Sequence, residues 1–191
     1  MVPFGTTGAF FAAYDHLFAL MRVGLISDTH GWLDPKVFEA FADCDELWHA
    51  GDIGSVEVAQ RLEAFKPLRA VHGNIDAAAL RARYPAYQRF SCGGLRVLMT
   101  HIGSSAGRHS PQLAAQLHRQ PADLLVTGHT HMLRVGRDSR YGGLLQLNPG
   151  AAGHQGIHQV RTLLRFTLQA GKLTALQVVE LGPRGGSAAR G

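Results

Sequence analysis

The chain has 191 residues, of which 46% are hydrophobic and 17% charged, and its formal net charge is +5 with the histidines neutral. This is enough chain for one domain of ordinary size, and the composition excludes a wholly disordered protein. With only two cysteines the chain is not a disulfide-dense secreted module, so we expect a reducing, cytoplasmic location. No stretch approaches the roughly 18 uninterrupted apolar residues of a membrane span, so we expect no membrane partner.

The two ends of the chain differ from the rest. Residues 10–20 are apolar like the core of a signal peptide, but no basic residue precedes them, and Asp15 and His16 interrupt the run. We interpret residues 1–20 as an extension before a domain that starts at Met21, with a docked amphipathic helix as the alternative. Residues 182–191 are rich in Gly, Pro, Ser and Ala and are expected to form a disordered tail. This leaves residues 21–181 as a single domain.

From Met21 onward, short apolar runs alternate with segments of helical periodicity. Three helices are predicted: one spans 35–41, one is capped by Ser55, and one is introduced by Ser110 and Pro111. Apolar runs of five or six residues predict buried strands at 23–27, 46–50, 68–72, 95–100 and 123–127. This alternation is typical of an α/β fold.

After Tyr141 the pattern becomes rich in strands. Residues 144–147, 161–168 and 173–181 predict consecutive strands in hairpin style, with a turn at Gly171-Lys172. The sequence shows no internal repeat that would divide the domain.

Each of the five predicted α/β strands is followed by a side chain of a metal-ligand type. Ligands of open α/β sheets gather outside the carboxyl ends of the strands, so these side chains can converge although they span about a hundred positions. The candidate ligands are Asp28, His30, Asp52, Asn74, His101, His129 and His131.

The spacing and chemistry of these residues indicate a metal centre. Asp28 and His30, like His129 and His131, are separated by one residue, and in extended backbone such pairs project to the same side. Nitrogen and oxygen ligands without a thiolate suit Mn, Fe, Zn, Co or Ni. Seven candidate ligands exceed the needs of one tetrahedral ion, so two ions that share a bridging carboxylate are the simplest interpretation.

In this order the motifs D-x-H, G-D, G-N, a lone H after a strand and G-H-x-H resemble the calcineurin-like metallophosphoesterases, in particular the small single-domain bacterial and archaeal phosphodiesterases. Asn148-Pro149-Gly150 matches a further motif of that family, and the resemblance covers about residues 22–181. The resemblance implies a four-layer α/β/β/α sandwich with two mixed β-sheets.

The resemblance also implies roles for the seven candidate ligands. Asp52 would bridge two divalent ions, and Asp52, Asn74 and His101 would act in catalysis through substrate positioning and a hydroxide held between the ions. Mn²⁺ is the expected metal, and Ni²⁺, Fe²⁺, Co²⁺ and Zn²⁺ are alternatives. The first ion would be bound by Asp28, His30 and His131, and the second by Asn74, His101 and His129.

The sequence departs from the family pattern at two positions. Many members have a histidine after the Asn of G-N that can donate a proton to the leaving group, but this chain has Ile75. General acid catalysis contributes roughly 10²–10⁴-fold, so its loss favours phosphodiesters with acidic leaving alcohols over alkyl monoesters. The second departure is Ile102, where relatives have a glycine followed by histidine. On the loop that follows, we expect Arg108 or His109 to bind substrate instead.

Other polar residues have simpler interpretations. Asp76 is expected to orient ligands or loops from behind the metal site, and the alternative is a turn residue that caps the next helix. We expect His49 and His72 to be buried histidines that have a structural role or support the ligands, rather than ligands themselves. His118, His154 and His158 are expected to be solvated, although His154 lies close enough in sequence to Asn148-Pro149-Gly150 to approach the substrate.

The leading functional hypothesis is a dinuclear metal-dependent phosphodiesterase that acts on small phosphodiesters. The alternative is a metal-binding scaffold with little or no catalysis, because the vacuolar-sorting subunit of retromer resembles this fold. Nuclease and phosphomonoesterase activities are minority alternatives. A nuclease is disfavoured because the sequence has no basic stripe with interleaved aromatic residues for nucleic acid. A homo-oligomer is compatible with the sequence.

Overall fold

Two five-stranded mixed sheets form the centre of the molecule. The computed structural model describes residues 20–105 and 108–185, and the predictions for residues 1–19 and 186–191 lie outside this part of the chain. Its elements are β1 (Met21–Ile26), α1 (Lys36–Ala40), β2 (Glu46–His49), α2 (Val56–Phe65), β3 (Leu68–Ala70), α3 (Ala78–Arg83), β4 (Tyr87–Cys92), β5 (Leu95–Thr100), β6 (Ser104–Ser105), β7 (Arg108–His109), α4 (Pro111–Arg119), β8 (Leu124–Val126), β9 (Leu133–Asp138), a 3₁₀ turn (Ser139–Tyr141), β10 (Leu144–Pro149), β11 (Val160–Gln169) and β12 (Lys172–Pro183).

Each sheet combines three parallel strands with antiparallel pairings, at one edge of the first sheet and at both edges of the second. The first sheet has the order β12-β11-β1-β2-β3, in which β1, β2 and β3 are parallel and β11 and β12 form an antiparallel hairpin. The second has the order β4-β5-β8-β10-β9, in which β5, β8 and β10 are parallel. The small ribbon β6-β7 lies outside both sheets.

The alternation of side chains along the strands separates three apolar cores. Val23 and Leu25 of β1 lie in the core between the two sheets, whereas Ile26 faces the core beneath α1, α2 and α3. In β5, Leu98 packs with Leu113 of α4 in a third core. Because successive strand residues point to opposite faces, both sheets are covered on both sides. The result is the predicted α/β/β/α arrangement of four layers.

The predicted helices form with the caps that the sequence indicates. Ser55 Oγ accepts a hydrogen bond from Val58 N at 3.2 Å, and Ser110 Oγ accepts one from Leu113 N at 3.2 Å, with Pro111 in the first turn of α4. These bonds satisfy backbone donors that have no partner within the helix. Among the described helices, none is long and apolar enough to cross a membrane.

The structure corrects three details of the predicted topology. Strands β4 and β9 are additional edge strands, whose exposed and half-buried residues lack the apolar pattern of a central strand. Strand β10 is not part of a hairpin with β11, because it pairs with β8 and β9 in the second sheet. Strand β12 continues to Pro183, opposite Val160, so the first residues of the predicted tail are ordered by backbone pairing.

We expect Trp48 to be essential to the core between the sheets. It is fully buried and packs edge-to-face on Phe90 and Phe166, with ring centroids 5.0 and 5.6 Å away. Trp48→Ala should therefore reduce the free energy of unfolding by about 3–5 kcal/mol, measured by urea denaturation. The control Trp32→Ala, at a tryptophan that is 48% exposed, should cost less than about 1 kcal/mol. Equal losses in the two variants would contradict this account.

Candidate metal centre

The candidate ligands lie on tight loops that follow the parallel strands of both sheets. Five of the seven have a left-handed backbone, with φ between 49° and 69°, at Asp28, His30, Asp52, His129 and His131. The prediction that these pairs project from extended backbone is therefore wrong, because sharp turns bring the side chains together. Left-handed conformations of non-glycine residues cost of order 1–3 kcal/mol each and cluster at functional sites.

One glycine shows how closely these loops approach each other. A Cβ on Gly73 would lie 2.0 Å from Asp52 Oδ1, so the loop after β3 contacts the Asp52 carboxylate directly. A larger residue at position 73 would separate Asn74 from the other candidate ligands.

Asp28, His30 and His131 form a first triad. His131 Nε2 lies 3.2 Å from Asp28 Oδ1 and 3.3 Å from His30 Nε2. Asp28 Oδ2 accepts hydrogen bonds from Ser27 Oγ at 2.6 Å and from His129 N at 3.1 Å, whereas its buried Oδ1 has no hydrogen-bond partner. Two imidazole nitrogens that face each other can share only one proton. The triad therefore has the donor atoms and the free carboxylate oxygen that a cation requires.

Asp52, His101 and His129 form a second triad, and Asn74 joins it. His101 Nδ1 lies 2.8 Å from the carbonyl of Ala50, which can only accept, so Nδ1 carries a proton. In the neutral ring Nε2 then has a lone pair and no proton. It lies 3.1 Å from Asn74 Oδ1 and 3.2 Å from Asp52 Oδ2. Burial of His101 opposes its protonation, but the hydrogen bond with Asp52 and the Asp28 charge outweigh it and raise the pKa. Three acceptor atoms thus face one another, and a proton or a shared cation between them would remove their repulsion.

The Asp52 carboxylate connects the two triads. Its Oδ2 lies 3.2 Å from His101 Nε2 and 3.9 Å from His30 Nε2, while Oδ1 accepts a hydrogen bond from Ile75 N at 3.1 Å. Burial opposes ionisation of Asp52, but the His101 ring outweighs it, so its pKa lies below the usual value. An ionised carboxylate between two triads has the geometry of a bridging ligand.

Taken together, the side chains fit two divalent transition-metal ions. In each triad one ligand atom per residue lies within 4.8 Å of the others. Imidazole nitrogens and carboxylate oxygens suit several first-row metals, and this donor set does not select one of them.

Asp76 joins the loops that carry Asp52 and Asn74. Its Oδ1 accepts a hydrogen bond from Gly54 N at 2.7 Å, and its Oδ2 accepts from Gly73 N at 2.7 Å and Ile53 N at 3.2 Å. Helix α3 begins after Ala77 without a side-chain cap, so the capping alternative for Asp76 is wrong.

His49 and His72 do not belong to either triad. His49 Nδ1 accepts a hydrogen bond from Gly51 N at 3.2 Å, so its Nε2 carries the proton and donates to Thr29 Oγ1 at 2.9 Å. Both His49 nitrogens are thus engaged, and burial lowers its pKa to about 4. His72 is only half-buried, with Nδ1 3.1 Å from the carbonyl oxygen of Gly73.

On the loop before α4, one ring nitrogen of His109 is engaged by neighbouring side chains. His109 Nε2 lies 3.3 Å from Asp138 Oδ2 and 3.2 Å from Gln146 Nε2, and its ring packs on Tyr141. These contacts hold the His109 ring in place, and its predicted contact with substrate stays a prediction. Arg108 is exposed, and its predicted contact with substrate stays a prediction.

Two of the three histidines predicted to be solvated are partly buried. His118 is exposed on α4 as predicted. The His158 ring packs against His131 at 5.3 Å between centroids, and the His154 ring packs against Trp32 at 5.1 Å. These contacts place the loop of residues 154–158 beside the first triad.

A large cavity elsewhere in the structure is separate from the candidate metal centre. A cavity of about 740 Å³, lined by residues that include Arg96, Asp123, Arg137, Tyr141 and Lys172, contains none of the candidate ligands. It lies at the opposite ends of strands β5, β8 and β10, where they begin.

Comparisons with known proteins agree with this arrangement. Residues 21–171 match the family model described as the calcineurin-like phosphoesterase superfamily domain. A protein of Methanothermobacter thermautotrophicus described as a probable metallophosphoesterase is 33% identical over 139 residues, which cover 69% of this chain and 77% of that protein.

Two solved structures share the fold. A novel archaeal phosphodiesterase superposes with a TM-score of 0.65 at 23% identity, over 84% of this chain and 100% of that one. Vacuolar protein sorting 29 from Cryptosporidium parvum superposes with a TM-score of 0.61 at 23% identity, over 86% of this chain and 99% of that one. One fold therefore accommodates proteins described in quite different ways.

We expect Asp76→Asn to weaken metal binding. The amide has a single acceptor oxygen, and its NH₂ would face backbone donors that the carboxylate now satisfies. Changes of this kind behind a metal site cost about 10–100-fold in affinity. Competition with a chelating dye measures the loss, and Glu57→Gln, an exposed carboxylate-to-amide change on α2, is the control. Wild-type affinity in Asp76→Asn would contradict the assignment.

His49 should make the stability of the metal-free protein depend on pH. Because its folded pKa of about 4 lies below the usual histidine pKa of about 6.5, the unfolded chain binds a proton between these values that the folded protein does not. Stability is then lost as pH falls from about 6.5 towards 4. Between pH 7 and 4.5, His49→Gln should lose less unfolding free energy than wild type, by on the order of 2 kcal/mol. Urea denaturation with a chelator present measures this, and an unchanged pH dependence would refute it. His118→Gln should behave as wild type.

Proposed function

Because the chain belongs to the calcineurin-like phosphoesterase superfamily, we propose that it is a metal-dependent phosphodiesterase that uses two divalent ions. The observation that carries the proposal is the pair of neighbouring triads, in which the Asp52 carboxylate of the second faces His30 of the first and Asn74 lies beside the second. All seven ligand positions of the family pattern are filled by side chains of the appropriate type.

The proposed ligands divide between the two ions. Asp52 would contact both, and Mn²⁺ is the metal we expect, with Ni²⁺, Fe²⁺, Co²⁺ and Zn²⁺ as alternatives. When bound, such ions act as Lewis acids that polarise phosphoryl oxygens and lower the pKa of water. The first set is Asp28, His30 and His131, and the second is Asn74, His101 and His129.

Neighbouring groups hold these ligands in a reactive state. The carbonyl of Ala50 fixes the tautomer of His101, so that its Nε2 faces Asp52 and Asn74. Backbone donors and Ser27 take up the other oxygens of the two carboxylates, which prevents rotation of either group. Preorganised ligands of this kind reduce the cost of reorganisation during the reaction.

Position 75 favours diesters over monoesters. Ile75 is 47% exposed, lies next to Asn74, and has no proton to donate to a leaving oxygen. Substrates whose leaving alcohol is already acidic need no such proton. A small phosphodiester with an acidic leaving group is therefore the proposed substrate.

A metal-binding scaffold is the second candidate function. It is favoured by large apolar side chains that are exposed beside the candidate ligands, among them Met132 at 65%. The complete ligand set favours catalysis, because a scaffold needs no pair of preorganised metal sites.

Hydrolysis of bis(4-nitrophenyl) phosphate and 4-nitrophenyl phosphate by metal-stripped protein tests the proposal, with Mn²⁺, Ni²⁺, Co²⁺, Zn²⁺ or Mg²⁺ added back. We expect metal to restore diester hydrolysis, and His129→Ala to reduce it by at least about 100-fold, since it removes a ligand rather than a supporting group. His118→Ala, the same change on an exposed helix face, should keep wild-type activity.

The other outcomes separate the alternatives. No turnover with any metal, although two ions bind, would favour the scaffold. A preference for the monoester would show that another group supplies the proton that Ile75 cannot.

A further inference from the structure

Five large apolar side chains that are exposed in the structure lie on the loops that carry or contact the two triads. Their exposed fractions range from 42% to 91%, although side chains of this type are usually buried. We name this set the apolar collar, and it consists of Trp32, Ile75, Ile102, Met132 and Ile157.

Two members of the collar, Ile75 and Ile102, directly follow ligands of the second ion, and we call them the wall of the second triad. Ile75 N donates a hydrogen bond to Asp52 Oδ1 at 3.1 Å, which fixes this residue next to the bridging carboxylate. Ile102 lines a cavity of about 220 Å³ together with Asn74 and His101. Ile102 therefore borders the same space as two candidate ligands of the second ion.

The other three, Trp32, Met132 and Ile157, lie on loops that carry or contact the first triad, and we call them the wall of that triad. A Cβ on Gly156 would lie 1.9 Å from His131 Nδ1, so the loop that presents Ile157 rests on the edge of the His131 ring. Met132 follows His131 directly. Trp32 follows the loop of the first triad, with its backbone N–H bonded to the carbonyl of Thr29 at 2.9 Å.

We propose that the apolar collar is a substrate subsite, and that the enzyme selects phosphodiesters whose two ester substituents are apolar or aromatic. This inference rests on the proposed function. A diester anion placed at the triads extends one substituent towards each wall, and both walls offer apolar surface. A monoester has only one substituent, and a methyl ester leaves the collar in contact with water, so both gain less from burial.

The arginine that lines the cavity beside Ile102 is already engaged. Arg81 lines the same cavity as Ile102, but its Nε and one terminal nitrogen donate to the carbonyls of Asp76 and Asn74 at 2.7 and 2.8 Å. Arg81 thus stabilises the Asn74 loop, and the surface of this cavity is mainly apolar.

Two diesters with the same leaving group test the inference, namely phenyl 4-nitrophenyl phosphate and methyl 4-nitrophenyl phosphate. They differ only in the substituent that is retained, and comparing protein variants cancels their different intrinsic reactivities. In Ile102→Ser/Ile157→Ser we expect the phenyl-over-methyl preference in kcat/KM to fall about tenfold, which corresponds to roughly 55 Å² of lost apolar contact. The single variants identify the wall that holds the retained group.

Val178→Ser is the matched control, because Val178 is 45% exposed on β12 and Ile102 is 42% exposed. This variant should keep the wild-type preference. A preference that stays within twofold of wild type in the double variant would overturn the subsite.

Binding provides a second measurement that does not require turnover. Diphenyl phosphate has a poor leaving group, so its affinity for the metal-loaded protein can be compared with that of dimethyl phosphate by calorimetry. We expect diphenyl phosphate to bind at least about tenfold more tightly, and this difference to disappear in Ile102→Ser/Ile157→Ser but not in Val178→Ser.

The two proposals fail in different ways. Equal affinities for the two phosphates in an enzyme that hydrolyses diesters would overturn the subsite alone. Absence of hydrolysis with every metal, while diphenyl phosphate still binds preferentially, would overturn the phosphodiesterase function and support apolar recognition by the collar. Failure of both phosphates to bind would overturn the inference.

Discussion

The Asp52 carboxylate is the point on which the geometry of the centre depends. One oxygen is held by Ile75 N, which turns the other towards His101 and His30 of the two triads. The contact with Gly73 allows the loop after β3 to come this close. Displacement of this carboxylate would therefore change the spacing of the two triads, each of which takes ligands from both sheets.

Packing between the two sheets brings the ligands of each triad together. Trp48 and its aromatic neighbours lie in the core that joins the two sheets, so the strand ends that carry Asp28 and Asp52 meet those that carry His101 and His129. The strain in the left-handed ligand loops must be offset elsewhere, and the three apolar cores supply that stabilisation. Rigid layers and strained loops thus form one system that can hold ligands in place.

The surroundings of the centre bear on specificity more than on the chemistry of the ions. Nitrogen and oxygen ligands at such a site are compatible with many phosphate esters, whereas Ile75 and the rest of the apolar collar decide which substituents fit around the phosphate. Selection by apolar surface has a modest energy for each contact, and it can change when single residues on the loops change. The same exposed surface would suit a protein partner, which explains why a scaffold remains the competing interpretation.

Much of this protein is determined by its sequence. Apolar runs and capping residues predict the central strands and helices, because burial and capping are local requirements, and Ser55 and Ser110 cap their helices as expected. The order of metal-ligand residues after successive strands predicts the seven members of the centre, since parallel strands place their carboxyl ends together. Only the tertiary structure decided how these residues meet. The backbone at Asp28 and His30 is left-handed rather than extended, His109 is engaged by Asp138, and β12 orders Gly182 and Pro183 by pairing with β11. These outcomes depend on contacts between segments that are distant in sequence, and no local pattern of residues specifies such contacts.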